Sequence, residues 1–147
     1  MNTSSASKGF TLIELLVVIS IIGLLSSVVL ASLGTARTKG RVSAIKGSMY
    51  QMRTQMGLYY NVYGSYGNIV NCSTGGFLDG GSQAILSKIA SDGATSIGCG
   101  SNQPSGTNDT EWSLYVTLPG GGGNWCVDAS GKLKTTTDET PSDGLCD

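Results

Sequence analysis

The longest pattern in the chain is an uninterrupted apolar segment near its N-terminus. Residues 15–36 are 22 consecutive uncharged positions, dominated by Leu, Ile and Val and bounded by Glu14 and Arg37. At the rise of an α-helix, this segment would be about 33 Å long, which is enough to cross a bilayer. The pattern therefore predicts a membrane-spanning helix.

Beyond this segment, apolar and aromatic side chains recur at alternating spacings of three and four residues. They are Val42, Ile45, Met49, Met52, Met56, Tyr59 and Tyr63. This spacing places them on one face of a helix. Because no proline occurs between residues 1 and 103, we expect one helix to run from about Phe10 to about Tyr60. Its second half would pack by this face under a small globular head.

The remainder of the chain consists of short apolar runs separated by glycines. A short helix is predicted from Ser82 to Ala90, with Ser82 as its N-cap and Gly93 ending it. Strict alternation of apolar and polar residues over 111–118 predicts a strand. A hairpin is predicted around residues 128–131, with Gly131 at the positive-φ position of the turn and short strands on either side.

The expected fold class is therefore α+β. A long N-terminal stem helix, with a membrane half and an amphipathic half, would pack on a small antiparallel sheet of three strands.

Composition and charge narrow the range of functions. The 147 residues include no His, only 13% are charged, and the formal net charge is −1. The sequence shows no nucleic-acid-binding motif, and a weakly charged chain lacks the basic surface that phosphate contacts need. The absence of His removes the commonest general base and metal ligand. An enzyme is the least expected class, and no cofactor is predicted.

Four cysteines, with no CxxC spacing, predict two disulfides and therefore an oxidising compartment. Four cysteines allow three connectivities. We favour Cys72–Cys99 with Cys126–Cys146, because each bond closes a glycine-rich stretch that has little core of its own. Each bond would add about 3–4 kcal/mol of stability by restricting the unfolded chain.

The segment KGFTLIELLVV at residues 8–18 closely resembles the start of type IV pilins and pseudopilins, the class III signal read by prepilin peptidase. The resemblance implies cleavage between Gly9 and Phe10 on the cytoplasmic side, followed by N-methylation of Phe10. It also implies that the lone acid, Glu14, directs the assembly of subunits into a filament. A Cys126–Cys146 bond would resemble the disulfide-bounded C-terminal loop of many type IV pilins.

The position of Glu14 supports the same role on physical grounds. A carboxylate near the end of an apolar span is costly and is usually paired. The amine that cleavage creates at Phe10, on the same or on a neighbouring subunit, is the nearest cation. The alternative is that Glu14 is an ordinary acid at the level of the lipid headgroups.

The resemblance divides the chain into four predicted parts. Residues 1–9 are the leader, residues 10–36 the membrane and filament-core half of the stem, residues 37–63 its amphipathic half, and residues 64–147 the disulfide-stabilised head. We expect a precursor that crosses the inner membrane once and later forms an extracellular or periplasmic filament. Expected partners are further copies of the chain, prepilin peptidase, the membrane and the pilus or type II secretion assembly machinery.

Three alternatives remain open from the sequence. The chain is expected to be a pilus subunit, for adhesion, motility or DNA uptake, but a type II secretion pseudopilin has the same N-terminal features. A single-span membrane protein with an extracytoplasmic binding head would instead retain residues 1–9.

Asp138, Glu139 and Asp143 could bind calcium, as in several pseudopilins, but their spacing lacks a calcium-loop pattern and favours a solvated acidic loop.

Overall fold

The computed structural model describes residues 9–101, 109–136 and 146, and the chain divides into two compact units between Arg37 and Thr38. Helix α1, Leu12–Tyr63, runs through both units, as the two apolar patterns predict. In the first unit every described residue is exposed. By its length and composition α1 can cross a membrane, and its apolar window is not buried by other parts of the protein.

In its described residues, the second unit contains the second half of α1, one further α-helix and a four-stranded antiparallel sheet. The elements are α2, Gly80–Ser91; β1, Ile97–Gly100; β2, Ser113–Thr117; β3, Asn124–Asp128; and β4, Leu133–Thr136. The strands lie in the order β1-β2-β3-β4. Short 3₁₀ turns cover Gly75–Leu78 and Pro119–Gly121. The α+β class is confirmed.

The prediction of three strands was wrong, because β1 joins the edge of the sheet beside β2. Its sequence, Ile-Gly-Cys-Gly, has no alternation from which a strand could be read. Gly98 lies opposite Tyr115 in the pairing of β1 with β2. A Cβ atom at Gly98 would fall within the ring of Tyr115, so the glycine leaves room for the ring to lie across β1. The strand therefore depends on its partner rather than on its own propensity.

The core of the second unit joins the stem helix to the sheet. Ile45, Met49, Met52 and Met56 of α1 are completely buried, and they share a core cluster with the inward face of β2. That face carries Leu114 and Val116, as the alternation over 111–118 predicts. The buried apolar face of α1 ends earlier than the spacing from Val42 to Tyr63 predicts, because Tyr63 is 66% exposed. Burial of the four stem side chains supplies the main apolar attachment of α1.

The N-cap of α2 is Asp79 rather than Ser82, so this detail of the predicted helix was wrong. The Asp79 carboxylate accepts hydrogen bonds from the backbone N–H of Gly81, at 3.0 Å, and from Nε2 of Gln55 on α1, at 2.7 Å. Ser82 is buried inside the helix, with its Oγ 3.9 Å from Sδ of Met56. The long-range bond to Gln55 favours the earlier start, and a sequence pattern does not reveal it.

Two disulfides stabilise the second unit, Cys72–Cys99 and Cys126–Cys146. They are the pairs favoured from the sequence. The first ties the loop after α1 to β1, and the second ties residue 146 to the centre of β3.

A buried carboxylate, Asp128, joins the β3–β4 turn to the second disulfide. Its oxygens accept hydrogen bonds from Ser130 Oγ at 2.6 Å, from the backbone N–H of Lys132 at 3.1 Å and from the backbone N–H of Cys146 at 3.0 Å. Burial by itself raises the pKa of Asp128, but these hydrogen bonds outweigh burial and hold the pKa below its ordinary value.

Because its pKa is lowered by folding, Asp128 stabilises the folded state above the pKa of the unfolded chain, about 3.9, and this contribution is lost as the pH falls through the lower folded value. We expect Asp128→Asn to reduce the free energy of unfolding at neutral pH by about 1–3 kcal/mol, since an amide nitrogen replaces an acceptor. The loss of stability below pH 4 should become shallower. Denaturant titration of the full chain, followed by Trp fluorescence, measures both effects. Glu111→Gln, at a partly exposed carboxylate, is the matched control; an equal loss in both variants would contradict the role of Asp128.

Candidate functional site: the start of helix α1

The candidate site lies at the start of helix α1. Gly9, Phe10 and Thr11 precede the first helical residue, Leu12. The Gly9–Phe10 peptide bond therefore lies outside the helix. Both residues are exposed, Phe10 to 90%, and apart from the chain neighbours of Gly9 no described residue has an atom within 4 Å of a Cβ built on Gly9. The bond at which cleavage is predicted is thus accessible to an enzyme.

Thr11 and Glu14 form a reciprocal cap at the helix start. Glu14 Oε2 accepts two hydrogen bonds, one from the backbone N–H of Thr11 and one from its hydroxyl, both at 2.8 Å. The backbone N–H of Glu14 donates in turn to Thr11 Oγ1 at 3.3 Å. The arrangement is a capping box, in which the first and fourth residues satisfy each other's backbone donors.

This cap gives Glu14 a local role that the sequence predictions missed. The signal was present, because Thr-x-x-Glu immediately before an apolar run is a capping-box pattern. In an apolar environment an unsatisfied backbone N–H costs several kcal/mol. Glu14 therefore satisfies the start of its own helix, and its second oxygen, Oε1, accepts no hydrogen bond from the residues that the structure describes.

Among the residues that the structure describes, those around the site are apolar and no other element packs against them. All residues from Gly9 to Arg37 are exposed, including the Leu, Ile and Val side chains that follow Glu14. A surface this apolar requires lipid or other apolar helices around it. Glu14 is the only acid from Gly9 to Leu78, and no other charged residue lies between it and Arg37.

The other predicted site residues lie either in the second unit or outside the residues that the structure describes. The four cysteines lie in the second unit as two disulfides. Asp138, Glu139 and Asp143, the proposed calcium ligands, lie outside the described residues. Over 9–101, 109–136 and 146, no group of three or more His, Cys, Asp and Glu side chains could hold a metal ion.

Comparison with protein families identifies the segment that contains this site. Residues 4–30 match the model of the prokaryotic N-terminal methylation motif. Searches of curated proteins and of solved structures gave no match. The motif includes Gly9, Phe10, Thr11 and Glu14, and the match extends through the apolar segment as far as Leu30.

The protein thus carries the class III signal peptide motif of type IV pilins. The motif supports a precursor like that of a type IV pilin or pseudopilin, and the exposed apolar helix indicates membrane anchoring. A long N-terminal helix, a small antiparallel sheet and two disulfides are consistent with a pilin-like fold. Pilins are structural subunits.

Proposed function

We propose that the protein is the structural subunit, or prepilin, of a bacterial type IV pilus or a related filament. Residues 1–9 are a leader that prepilin peptidase removes, and Phe10 becomes the methylated N-terminus. Residues 10–36 first hold the subunit in the inner membrane and then form the filament core. The remainder of the chain, 37–63 and 64–147, is the amphipathic stem and the head. The protein is not an enzyme and requires no cofactor.

The observation that carries this proposal is the coincidence of the methylation motif with an uncovered apolar helix. The motif spans residues 4–30, and the described part of that segment is wholly exposed. Such a helix is stable in two environments, a bilayer and a bundle of like helices. When a subunit is extracted from the membrane into a filament, its helix leaves the bilayer and enters a bundle of like helices. The subunit's chief partners are therefore lipid and further copies of itself.

Glu14 supplies specificity to this exchange. Apolar contacts between helices define their axial offset weakly, whereas a charge pair inside an apolar bundle does so strongly, because both members are costly when unpaired. The cation is the amine that cleavage creates at Phe10 of a neighbouring subunit. An incoming subunit would enter the register at which its Glu14 meets that amine, and the contacts over residues 12–33 would then form.

The two disulfides support a destination outside the cytoplasm. Disulfides persist in the periplasm and at the cell surface and are rare in the cytosol. A single span with a cytoplasmic leader places the second unit in the oxidising compartment. This location is also required for assembly into a filament that leaves the membrane. Prepilin peptidase and the pilus or secretion assembly machinery are the further partners that this route requires.

One test of the proposal is the location of the processed subunit. Surface filaments would be sheared from cells, pelleted and probed with an antibody to the second unit, with an unrelated inner-membrane protein as the fractionation control. We expect the subunit in the sheared filaments. A processed subunit that multimerises but remains periplasmic favours the pseudopilin alternative. A full-length chain confined to the membrane contradicts the proposal and favours an anchored binding protein.

A further inference from the structure

The carboxylate of Asp128 divides its two oxygens between two parts of the second unit. Oδ1 accepts hydrogen bonds from Ser130 Oγ at 2.6 Å and from the backbone N–H of Lys132 at 3.1 Å, both in the β3–β4 turn. Oδ2 accepts from the backbone N–H of Cys146 at 3.0 Å, 18 residues further along the chain. Because Asp128 is completely buried, its oxygens depend on the protein for hydrogen bonds. One oxygen therefore belongs to the turn, and the other holds residue 146.

The hydrogen-bond acceptor and the disulfide partner of residue 146 lie side by side on β3. Cys126 and Asp128 are two positions apart, and alternate residues of a strand share one face of the sheet. The Sγ atom of Cys146 is bonded to Cys126, while its backbone N–H donates to Asp128. When the N–H of residue 146 occupies Asp128, its side chain is therefore at Cys126.

The other disulfide, Cys72–Cys99, lies on the opposite face of the sheet. Cys99 pairs with Leu114 of β2, which pairs in turn with Val127 of β3. Leu114 and Val127 belong to the core cluster, and Cys99 packs against it. Cys126 is the neighbour of Val127 along β3 and therefore lies on the other face. The two disulfides thus report separately on the two faces of one sheet.

We propose that Asp128 is a positioning residue for the oxidation of the second disulfide, which holds residue 146 by its backbone N–H in the reduced chain. The donors to Oδ1 come from residues two and four positions after Asp128, so the turn fixes the carboxylate without the disulfide. Oδ2 is then a buried acceptor, and leaving it unsatisfied is costly. The bond joins residues 20 positions apart, and holding residue 146 in place raises the effective concentration of its thiol at Cys126. The inference does not depend on the proposed function.

The oxidation itself is a thiol–disulfide exchange, for which a disulfide is the oxidant. With glutathione disulfide, one cysteine thiolate attacks a glutathione sulfur and releases one glutathione, and the second cysteine then displaces the other glutathione from the mixed disulfide. One S–S bond breaks and one forms, two electrons pass to the glutathione sulfurs, and the two thiol protons end on the two glutathione thiols. Asp128 takes no part in this transfer of electrons. It only increases the time that the second thiol spends in place.

The test is an equilibrium titration of the full chain, in detergent micelles, with mixtures of reduced and oxidised glutathione. Free thiols are alkylated, and the bonded fraction of each disulfide is measured by peptide mass spectrometry. We expect Asp128→Asn to lower the effective concentration of the Cys126–Cys146 pair at least about tenfold, since a hydrogen bond to a charged group is lost. The Cys72–Cys99 pair, on the other face, should change by less than about twofold.

Ser130→Ala is the matched control, because it removes a donor to Oδ1 and leaves Oδ2 in place for the Cys146 N–H. We expect it to lower the effective concentration of the Cys126–Cys146 pair far less than Asp128→Asn does. Equal losses in the two variants would show that Asp128 acts only by stabilising the turn, which overturns the proposal. An equal loss at both disulfides in Asp128→Asn, or no loss at either, overturns it as well.

A second measurement detects the contact in a chain that cannot form the bond. With Cys126→Ala and Cys146→Ala combined, the backbone N–H at position 146 is followed by amide hydrogen exchange in the full chain. We expect this exchange to be at least about tenfold slower than in the same chain with Asp128→Asn added. Equal exchange rates in the two chains would contradict the proposal, because the hydrogen bond would then be a consequence of the disulfide.

Discussion

Replacing Glu14 with Ala is expected to leave membrane insertion and leader cleavage intact while reducing filament assembly at least about tenfold. Removal of the charge makes the span more apolar, so insertion is not impaired. A charged side chain at the centre of a bilayer costs about 2.5–3.5 kcal/mol, and a pair that offsets a cost of this size between subunits changes association by well over tenfold. In a filament of the Ala variant, the charged Phe10 amine would lie unpaired in an apolar environment, which would destabilise the filament.

The experiment compares surface filament yield with the amount of processed subunit in the membrane. Glu14→Gln is the most informative second variant, because its amide oxygen can still accept from Thr11 while its charge is lost. We expect it to fail like Ala, and Glu14→Asp, one methylene shorter, to be intermediate. Glu111→Gln in the second unit is the matched control. Normal filaments from a processed Glu14→Ala subunit would reject the pairing mechanism.

Replacing Gly9 with Leu is expected to block processing almost completely. Apart from its chain neighbours, no described residue lies within 4 Å of a Cβ at Gly9, so the described part of the chain leaves room for a larger side chain there. The loss would therefore report the fit of the peptidase to a residue without a side chain. The unprocessed precursor should accumulate in the inner membrane and form no filaments.

Gly23→Leu is the matched control for this variant. Gly23 is also exposed on the first unit with open space at its Cβ position, but it lies inside α1. It should be cleaved at the wild-type rate, which would show that the effect belongs to position 9 and not to any added leucine. Cleavage and assembly of Gly9→Leu at wild-type level would show that the class III signal is not used.

The sequence predicted the elements whose side-chain periodicity is complete. The apolar run and the stripe from Val42 predicted α1, and the alternation over 111–118 predicted β2 with its buried face. The sequence predictions failed where an element depends on a contact with a residue that is distant along the chain. β1 exists because Tyr115 lies over Gly98, and α2 begins at Gly80 because Asp79 also binds Gln55.

The residues of the candidate site differ in how far their roles could be predicted from the sequence. Gly9, Phe10 and Glu14 follow from the motif, and their roles remain proposals. The Thr11–Glu14 cap also has a sequence signature, Thr-x-x-Glu before an apolar run, although the sequence predictions gave Glu14 only an intersubunit or headgroup-level role. The cysteine pairing could not be derived uniquely, because sequence spacing leaves three connectivities and only the folded positions of the strands distinguish them.

The most direct test of the proposed function is the mass of the N-terminal peptide of the subunit purified from its native host. The proposal predicts a peptide that begins at Phe10, carries one added methyl group on its amine, and is absent from cells that lack prepilin peptidase. A peptide that begins upstream of Phe10 in otherwise mature, surface-exposed protein would contradict it.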